Sequence, residues 1–265
     1  MQRFSAFARA LVIASGIPLV VIAANVALAT LALTPANALS LDALASAASL
    51  ALFAVAAATL GHEAIGVRLG LGAGRLSYAR VAIGALGLIA LSHAAEGALA
   101  WSGVTSPGLA RFDEALAELP LSQIGLPLFA LAICSACGEE LFFRGLLQRG
   151  LAPVLGRSLA IALAAAAFGA AHGDLAHAAA AALLGLYLGV LADAADSIRA
   201  SILAHAMNNA LALLEVGTEL RIPEGPVATP LAIFAGLTLA CVALASLRRS
   251  VGVDLVLQSP PGAAD

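Results

Sequence analysis

Long runs without a formal charge constrain this sequence more than any other feature. Residues 10–41 contain no Asp, Glu, Lys or Arg, and the same holds for residues 119–138. A helix needs about 20 mostly apolar residues to cross a bilayer. Because the runs are continuous rather than alternating, they predict spanning helices and not a β-barrel.

Eight segments of the 265 residues fit this description. We therefore predict an all-α fold, a polytopic membrane helix bundle with about eight transmembrane helices, in which residues 1–265 form a single integral membrane domain. The fifth to seventh segments are short and could tilt or re-enter the membrane. The predicted spans are 11–34, 42–60, 81–103, 121–144, 158–173, 175–194, 198–216 and 227–247.

Composition supports this prediction. Hydrophobic residues make up 62% of the chain and charged residues 11%, whereas a soluble domain carries about a quarter charged residues. Frequent Ala, Leu and Gly suit close approach of helices in lipid. We expect the lipid bilayer, and not nucleic acid, as a partner. Cys134, Cys137 and Cys241 lie in apolar segments, which favours neither a disulfide framework nor a redox site.

The arginines predict the orientation. The sequence has no lysine, and placing the N-terminus inside puts eleven of thirteen arginines in inner segments. Since cytoplasmic segments are enriched in basic residues, both termini are predicted to be cytoplasmic. The lack of Lys beside abundant Ala and Arg favours a bacterial inner membrane. The inner arginines would be Arg3, Arg9, Arg68, Arg75, Arg80, Arg144, Arg149, Arg157, Arg199, Arg248 and Arg249.

The ends of the chain and one loop have simpler interpretations. The uncharged run 10–41 is too long for the apolar region of a signal peptide, about 7–15 residues, so we expect it to stay as a first helix. The Gly/Arg-rich loop 61–80 is expected on the cytoplasmic surface. Residues 255–265 are expected to form a disordered tail.

Charged residues follow one apolar run directly, in the stretch "CGEELFFRGLL" at 137–147. Glu140 and Arg144 are four residues apart on a helix and can pair. Glu139 points about 100° away, lacks that partner, and is expected to be desolvated and suited to act as a general base. Ionisable residues inside a spanning segment indicate a functional site. The alternative is a helix end at the interface, where these charges are simply solvated.

Two further pairs of polar or aromatic residues lie at helical spacing. In "AAFGAAHGD", Phe168 and His172 share a face, although a lone histidine near a helix end is more often interfacial than a ligand. In "ILAHAMNNALALL", His205 and Asn209 share a face and can act as two donors. The alternative for this second pair is a polar contact between helices.

Together these residues could activate a water and stabilise an oxyanion. The same Glu and His side chains could instead hold a zinc ion with an open position. Either arrangement points to hydrolysis of an acyl compound, most plausibly a peptide bond. Other polar groups are expected to be structural: His93 with Glu96, His62 with Glu63, Asp174 with His177 at an outer turn, and Asp193 and Asp196 with Arg199 at an inner turn.

The three motifs in order, Glu139-Glu140-x-x-x-Arg144, Phe168-x-x-x-His172 and His205-x-x-x-Asn209, resemble the CAAX protease and bacteriocin-processing (CPBP, or Abi) family of intramembrane endopeptidases, which includes the type II CAAX prenyl proteases. The sequences around these motifs are also similar to that family's core, namely "EELFFRGLL", "AFGAAH", "LLGLYLGVL" and "ILAHAMNN". The resemblance covers about residues 120–217, a CPBP-like protease core, and leaves the first three spans and the last without a motif.

The resemblance implies a role for each matched residue. Glu139 would activate the attacking water with help from His172. His205 and Asn209 would stabilise the oxyanion, while Glu140 and Arg144 would brace the site. Members are often labelled metalloproteases, but the prenyl-protease branch is better described as glutamate-dependent. We therefore expect no cofactor, with zinc as the alternative: no H-E-x-x-H is present, and Asn209 suits an oxyanion hole better than a metal shell.

The expected partner is a membrane-associated or lipid-modified peptide or protein, cleaved near its end. A proton- or ion-coupled transporter that uses the buried Glu and His side chains is the competing hypothesis, against which no inverted repeat is visible. A non-catalytic scaffold is a third. One feature fits poorly: counted from the nearest inner arginines at about 1.5 Å per residue, Glu139 and His205 lie roughly 8–9 Å deep but His172 roughly 22 Å.

Overall fold

A computed structural model of the chain describes residues 34–117, 119–216 and 228–251, and these residues form helices and connections without a strand. The all-α prediction is confirmed. A short 3₁₀ turn, Leu121–Gln123, lies between the fourth and fifth helices. In chain order the described helices are α1 (Pro35–Thr59), α2 (Ile65–Arg68), α3 (Tyr78–Ser102), α4 (Pro107–Ala117), α5 (Gly125–Leu155), α6 (Arg157–Ala170), α7 (Leu175–Ala195), α8 (Ile198–Val216) and α9 (Ala228–Val251).

Five described helices are long and apolar enough to cross a membrane, namely α1, α3, α5, α7 and α9. The chain is an integral membrane protein. Helix α6 is apolar but shorter. Helix α8 matches the predicted span 198–216 but is outside the five, because its charged and polar side chains lower its mean hydropathy, namely Arg199, His205, Asn208, Asn209 and Glu215. The predicted first span 11–34 and the predicted tail 255–265 lie outside the described residues, so the full count of about eight stays a prediction.

Helix α5 is longer than predicted, and this changes the meaning of several charges. It continues to Leu155 instead of ending at residue 144, so residues 145–155 are helical and not a loop. Two stretches of α5, Leu128–Cys134 and Leu141–Gln148, adopt the wider π-helical pattern and flank an α-helical turn, Ser135–Glu140. Such π segments are frequent at functional sites.

The helices pack around α5 and α8. Helix α5 contacts α1, α6 and α8, while α3 packs along α9, and α6 packs along α7. One apolar core joins α3, α7 and α9 through Leu88, Leu191 and Leu247. A second, aromatic core joins α1, α5 and α6 through Phe142 and Phe168. The aromatic core lies beside the charged motif of α5.

Two glycine positions let α5 lie very close to its neighbours. A Cβ atom at Gly138 would collide with the backbone of Ala47 in α1. A Cβ atom at Gly189 in α7 would lie 2.9 Å from Gln148 Oε1 of α5 and 2.9 Å from Ile161 Cγ2. Small residues at helix contacts are the usual means of tight packing in lipid. Here they let α1 pack directly on α5 and bring the backbone of α7 within reach of the polar side chains of α5.

One end of the bundle carries a cluster of ion pairs. Asp196 lies 3.3 Å from Arg149 and 3.7 Å from Arg75, and Asp193 lies 3.7 Å from Arg157. The structure therefore gathers three arginines predicted for the same side of the membrane. Asp196 lies at the expected turn between α7 and α8, just before Arg199, and both carboxylates pair with arginines of other segments.

At the other end, Asp174 ties the start of α7 to the start of α4. Its Oδ1 accepts from the backbone N–H of His177 at 2.9 Å, and its Oδ2 accepts from Ser106 Oγ at 2.7 Å and from the N–H of Gly108 at 3.2 Å. These donors, led by the His177 N–H, hold the pKa of Asp174 below its ordinary value. The carboxylate is thus an N-cap and a link between two helices.

Candidate active site

The centre of the site is a buried ion pair within α5. Glu140 Oε1 lies 2.7 Å from Arg144 NH1, and both side chains are 0% exposed. The same Oε1 lies 3.0 Å from His205 Nδ1 of α8. An ionised carboxylate only accepts hydrogen bonds, so Nδ1 of His205 is the donor. The predicted Glu140–Arg144 pair is present, and it also binds an imidazole from another helix.

Arg144 does not lie in a connecting segment: it lies within helix α5, and its side chain is buried among the helices. Its NH2 donates to the carbonyl of Gly185 in α7 at 3.1 Å, and its guanidinium lies 4.5 Å above the ring of Phe168. One turn later, Gln148 Nε2 donates to the carbonyl of Gly189 at 3.0 Å. Two parallel contacts therefore fasten this part of α5 to the backbone of α7.

Glu139 has a different environment from Glu140. Ser135 Oγ donates to Glu139 Oε1 at 3.0 Å, and Glu139 Oε2 lies 3.7 Å from His205 Nε2. The Glu139 side chain is 19% exposed. The expectation that Glu139 is the desolvated carboxylate is therefore reversed, since Glu140 is the fully buried one. Glu139 keeps the access that an incoming water or substrate needs.

Phe168 joins the two histidines of the site. Its ring centroid lies 4.8 Å from that of His172 and 5.7 Å from that of His205. His172 Nδ1 lies 2.8 Å from the carbonyl of Phe168. Because a carbonyl can only accept, Nδ1 of His172 carries the proton, and Nε2 of the neutral ring has a free lone pair. The ring of Phe168 therefore lies against both His172 and His205.

Asn209 lies one turn beyond His205 on the face of α8 that meets α5. Its Nδ2 donates to the carbonyl of Leu131 at 3.2 Å. A primary amide has two N–H groups, so the second is available to a ligand. Asn209 follows His205 in α8, whereas its partner Leu131 precedes Glu140 in α5. Helices α5 and α8 are therefore antiparallel here.

The course of α5 places Glu139 and His172 at comparable distances from one shared turn. Residues 139 and 172 lie at similar distances along the chain from Gly156, the turn that joins α5 to α6, which corresponds to roughly 24 Å of helix for each. Helix α8 begins beside α5, because a Cβ atom at Gly145 would lie 3.5 Å from Ile198 Cδ1. The count from Arg144 placed Glu139 too close to a span end, because Arg144 lies inside α5 and not at its end.

The donor set does not form a ready metal site. Among the described residues, no group of three or more His, Cys, Asp or Glu side chains is arranged to hold a metal ion. His205 lies near the carboxylates of both Glu139 and Glu140, but Glu140 Oε1 is already paired with Arg144.

Sequence reasoning did not single out Ser135, Gln148 or a central position for Phe168. Ser135 and Gln148 stand four residues from Glu139 and Arg144, the same spacing that revealed the other pairs. Applying that rule in both directions along α5 would have found them. The central position of Phe168 depends on contacts among three helices, and no sequence signal marks it.

His93 and Glu96 of α3 lie outside the site, and His93 links α3 to α8. His93 Nε2 lies 3.4 Å from Glu215 Oε1 of α8, and His93 Nδ1 lies 3.9 Å from Glu96 Oε2. Opposite ring nitrogens face the two carboxylates. This arrangement fits the predicted structural pairing, here between α3 and the end of α8.

Comparison with known proteins gives one family match. Residues 121–211 match the family model described as type II CAAX prenyl endopeptidase, Rce1-like. This match confirms the resemblance to the CAAX protease family, and the matched residues include all six residues of the predicted site. No curated protein and no solved structure matches the chain.

Proposed function

We propose that this protein is an intramembrane endopeptidase that hydrolyses a peptide bond near the end of a membrane-associated or lipid-modified protein. The observation that carries the proposal is the 3.7 Å gap between Glu139 Oε2 and His205 Nε2. A carboxylate and an imidazole at this separation are slightly too far apart for a direct hydrogen bond. Both can contact one water or one carbonyl group placed between them.

Glu139 is the proposed general base. It removes a proton from the attacking water as the water oxygen bonds to the scissile carbonyl carbon. When the carbon–nitrogen bond breaks, Glu139 returns that proton to the leaving nitrogen. His172 assists through the lone pair of Nε2, whose direction is fixed by the bond from Nδ1 to the carbonyl of Phe168.

His205 and Asn209 are the proposed oxyanion donors. The free N–H of Asn209 and an N–H on His205 Nε2 would bind the tetrahedral oxygen. Since Nδ1 of His205 already donates to Glu140, this role uses the doubly protonated imidazolium. Glu140 supplies the negative charge that accompanies this form, and Arg144 holds Glu140 in place.

The substrate is proposed from the family and from the location of the site. The matching family model is described as a prenyl endopeptidase. The site lies between helices that are long enough to span a membrane, such as α5 and α7. This location suits a peptide that is itself held at the membrane. We further propose that both termini are cytoplasmic and that the membrane is a bacterial inner membrane, which fusion of a topology reporter to each terminus would test.

A cleavage assay on the reconstituted protein tests the proposed function. Wild type, Glu139→Gln and His172→Ala are purified, placed in liposomes, and offered prenylated and unmodified membrane peptides. We expect cleavage by wild type only, with all three proteins folded to the same extent. Undiminished cleavage by Glu139→Gln would refute the proposal, and proton-coupled flux without any cleavage would support a transporter instead.

Metal dependence is measured in the same preparation. We expect activity to survive chelators and metal content to be well below one ion per chain. Loss of activity on chelation, with recovery on addition of zinc, would replace the glutamate-only mechanism by the zinc-dependent one.

A further inference from the structure

We infer that Ser135 is a positioning residue that orients the Glu139 carboxylate toward His205, an inference that rests on the proposed function. Ser135 Oγ donates to Glu139 Oε1 at 3.0 Å. With Oε1 fixed in this way, Oε2 is the oxygen that faces His205 Nε2. The two oxygens of the proposed base therefore have separate tasks, one in orientation and one in reaction.

The hydroxyl of Ser135 does not make the usual local bond of a helical serine. Such hydroxyls often donate to the carbonyl four residues earlier, as Ser40 does to Ala36 and Ser49 does to Ala45. For Ser135 that carbonyl belongs to Leu131, and it accepts from Asn209 Nδ2 instead. The Asn209 contact thus places a competing donor at that carbonyl, while the Ser135 hydroxyl donates to Glu139.

This arrangement couples the proposed base to a proposed oxyanion donor. Leu131, Ser135 and Glu139 follow one another at four-residue spacing on the side of α5 that meets α8. Asn209 contacts the first of these positions, and His205 lies opposite the last. Both halves of the catalytic group are therefore held by consecutive turns of a single helix face.

Removal of the hydroxyl should impair the reaction without impairing substrate binding. In Ser135→Ala, Glu139 can rotate away from His205, so we expect kcat to fall, by up to about 100-fold, with KM unchanged. Ser135→Thr keeps a hydroxyl at the same position and should restore most of kcat. Thermal unfolding of both variants should match wild type, because the bond is partly exposed.

Ser92 provides a matched control. It also donates to a carboxylate four residues later, Glu96 Oε1 at 3.2 Å, but on α3 and outside the site. Ser92→Ala should leave kcat unchanged. Wild-type kcat in Ser135→Ala, or a loss that Ser135→Thr does not restore, would overturn the positioning role. Either result beside an inactive Glu139→Gln leaves the proposed function intact, whereas activity of Glu139→Gln would refute the function itself.

Discussion

His205 Nδ1 lies 3.0 Å from Glu140 Oε1, and this contact decides which nitrogen of the imidazole faces Glu139. Because the carboxylate accepts, Nδ1 donates and Nε2 turns toward Glu139 Oε2. Arg144 fixes Glu140 in turn, through a 2.7 Å ion pair that is closed to solvent. The buried pair thus sets the orientation of the group that is proposed to meet the substrate.

The adjacent glutamates should respond differently to the same substitution. Glu140→Gln leaves the buried Arg144 without a counter-charge, and we expect a loss of about 3 kcal/mol in the free energy of unfolding together with loss of cleavage. Glu139→Gln should abolish cleavage but change that free energy by less than about 1 kcal/mol. Denaturant unfolding in detergent, run beside the cleavage assay, measures both. Equal free energies of unfolding for the two variants would contradict the assignment of Glu140 to the buried ion pair and Glu139 to the reaction.

Asn209→Ala should lower kcat by about 100-fold to 1,000-fold with little effect on KM, because an oxyanion donor acts mainly in the transition state. Asn208→Ala is the matched control. Asn208 is the neighbouring residue of the same type and is buried. Steady-state kinetics on both variants gives the comparison. Equal losses at the two positions would show that the effect is packing and not catalysis.

Gly138→Ala should reduce both stability and activity. The added methyl group meets the backbone of Ala47 in α1, which cannot rotate away as a side chain could, so we expect a cost of about 1–3 kcal/mol. Displacement of α5 would also move Glu139, the next residue. Gly150→Ala serves as the control, since a Cβ atom there meets nothing within 4 Å. It should raise stability by about 0.4–1 kcal/mol, and a destabilised Gly150→Ala would contradict this account.

Asp174→Asn should destabilise the protein in a manner that depends on pH. Hydrogen bonds from His177, Ser106 and Gly108 lower the pKa of Asp174 in the folded state, so the ionised carboxylate stabilises the fold above the unfolded value near 3.8. This contribution disappears as pH falls through the lower, folded pKa. The unfolding midpoints of wild type and variant should therefore differ at pH 7 and converge below about pH 4.

Ser106→Ala is a milder test of the same link. It removes one donor to Asp174 and should give a smaller difference in the unfolding midpoint with the same dependence on pH. A difference that stays constant from pH 7 to pH 3 in Asp174→Asn would show that the charge of this carboxylate plays no part.

Local spacing predicted the helices and the pairs that lie on one helix. The bounds of α7 and α8 agree with the predicted spans to within one residue. The pairing of Glu140 with Arg144 followed from their four-residue separation, which places the side chains on one face. The three motifs together also identified the family that residues 121–211 match.

Contacts between helices were beyond this reasoning, because no local pattern specifies which faces meet. The bond from His205 to Glu140 joins residues 65 positions apart. The burial of Arg144 misled the estimate of depth, since a charged residue in sequence looks the same whether it ends a span or pairs inside one. The exposures of Glu139 and Glu140 were reversed for a related reason: the packing of α8 and α7 against α5, and not the α5 sequence, decides which carboxylate is covered.

The Glu140–Arg144 pair has a consequence for biogenesis, since both partners belong to one helix. Their charges cancel as soon as α5 has formed, so the stretch from Gly125 to Gln148 enters the bilayer carrying the charge of Glu139 alone. A lone charge at mid-bilayer costs about 2.5–3.5 kcal/mol on insertion scales, and the internal pairing spares α5 most of that cost. His205 and Asn209 emerge from the ribosome later. The hydrolytic centre proposed here is therefore incomplete, and its nascent chain inert, until synthesis has passed α8.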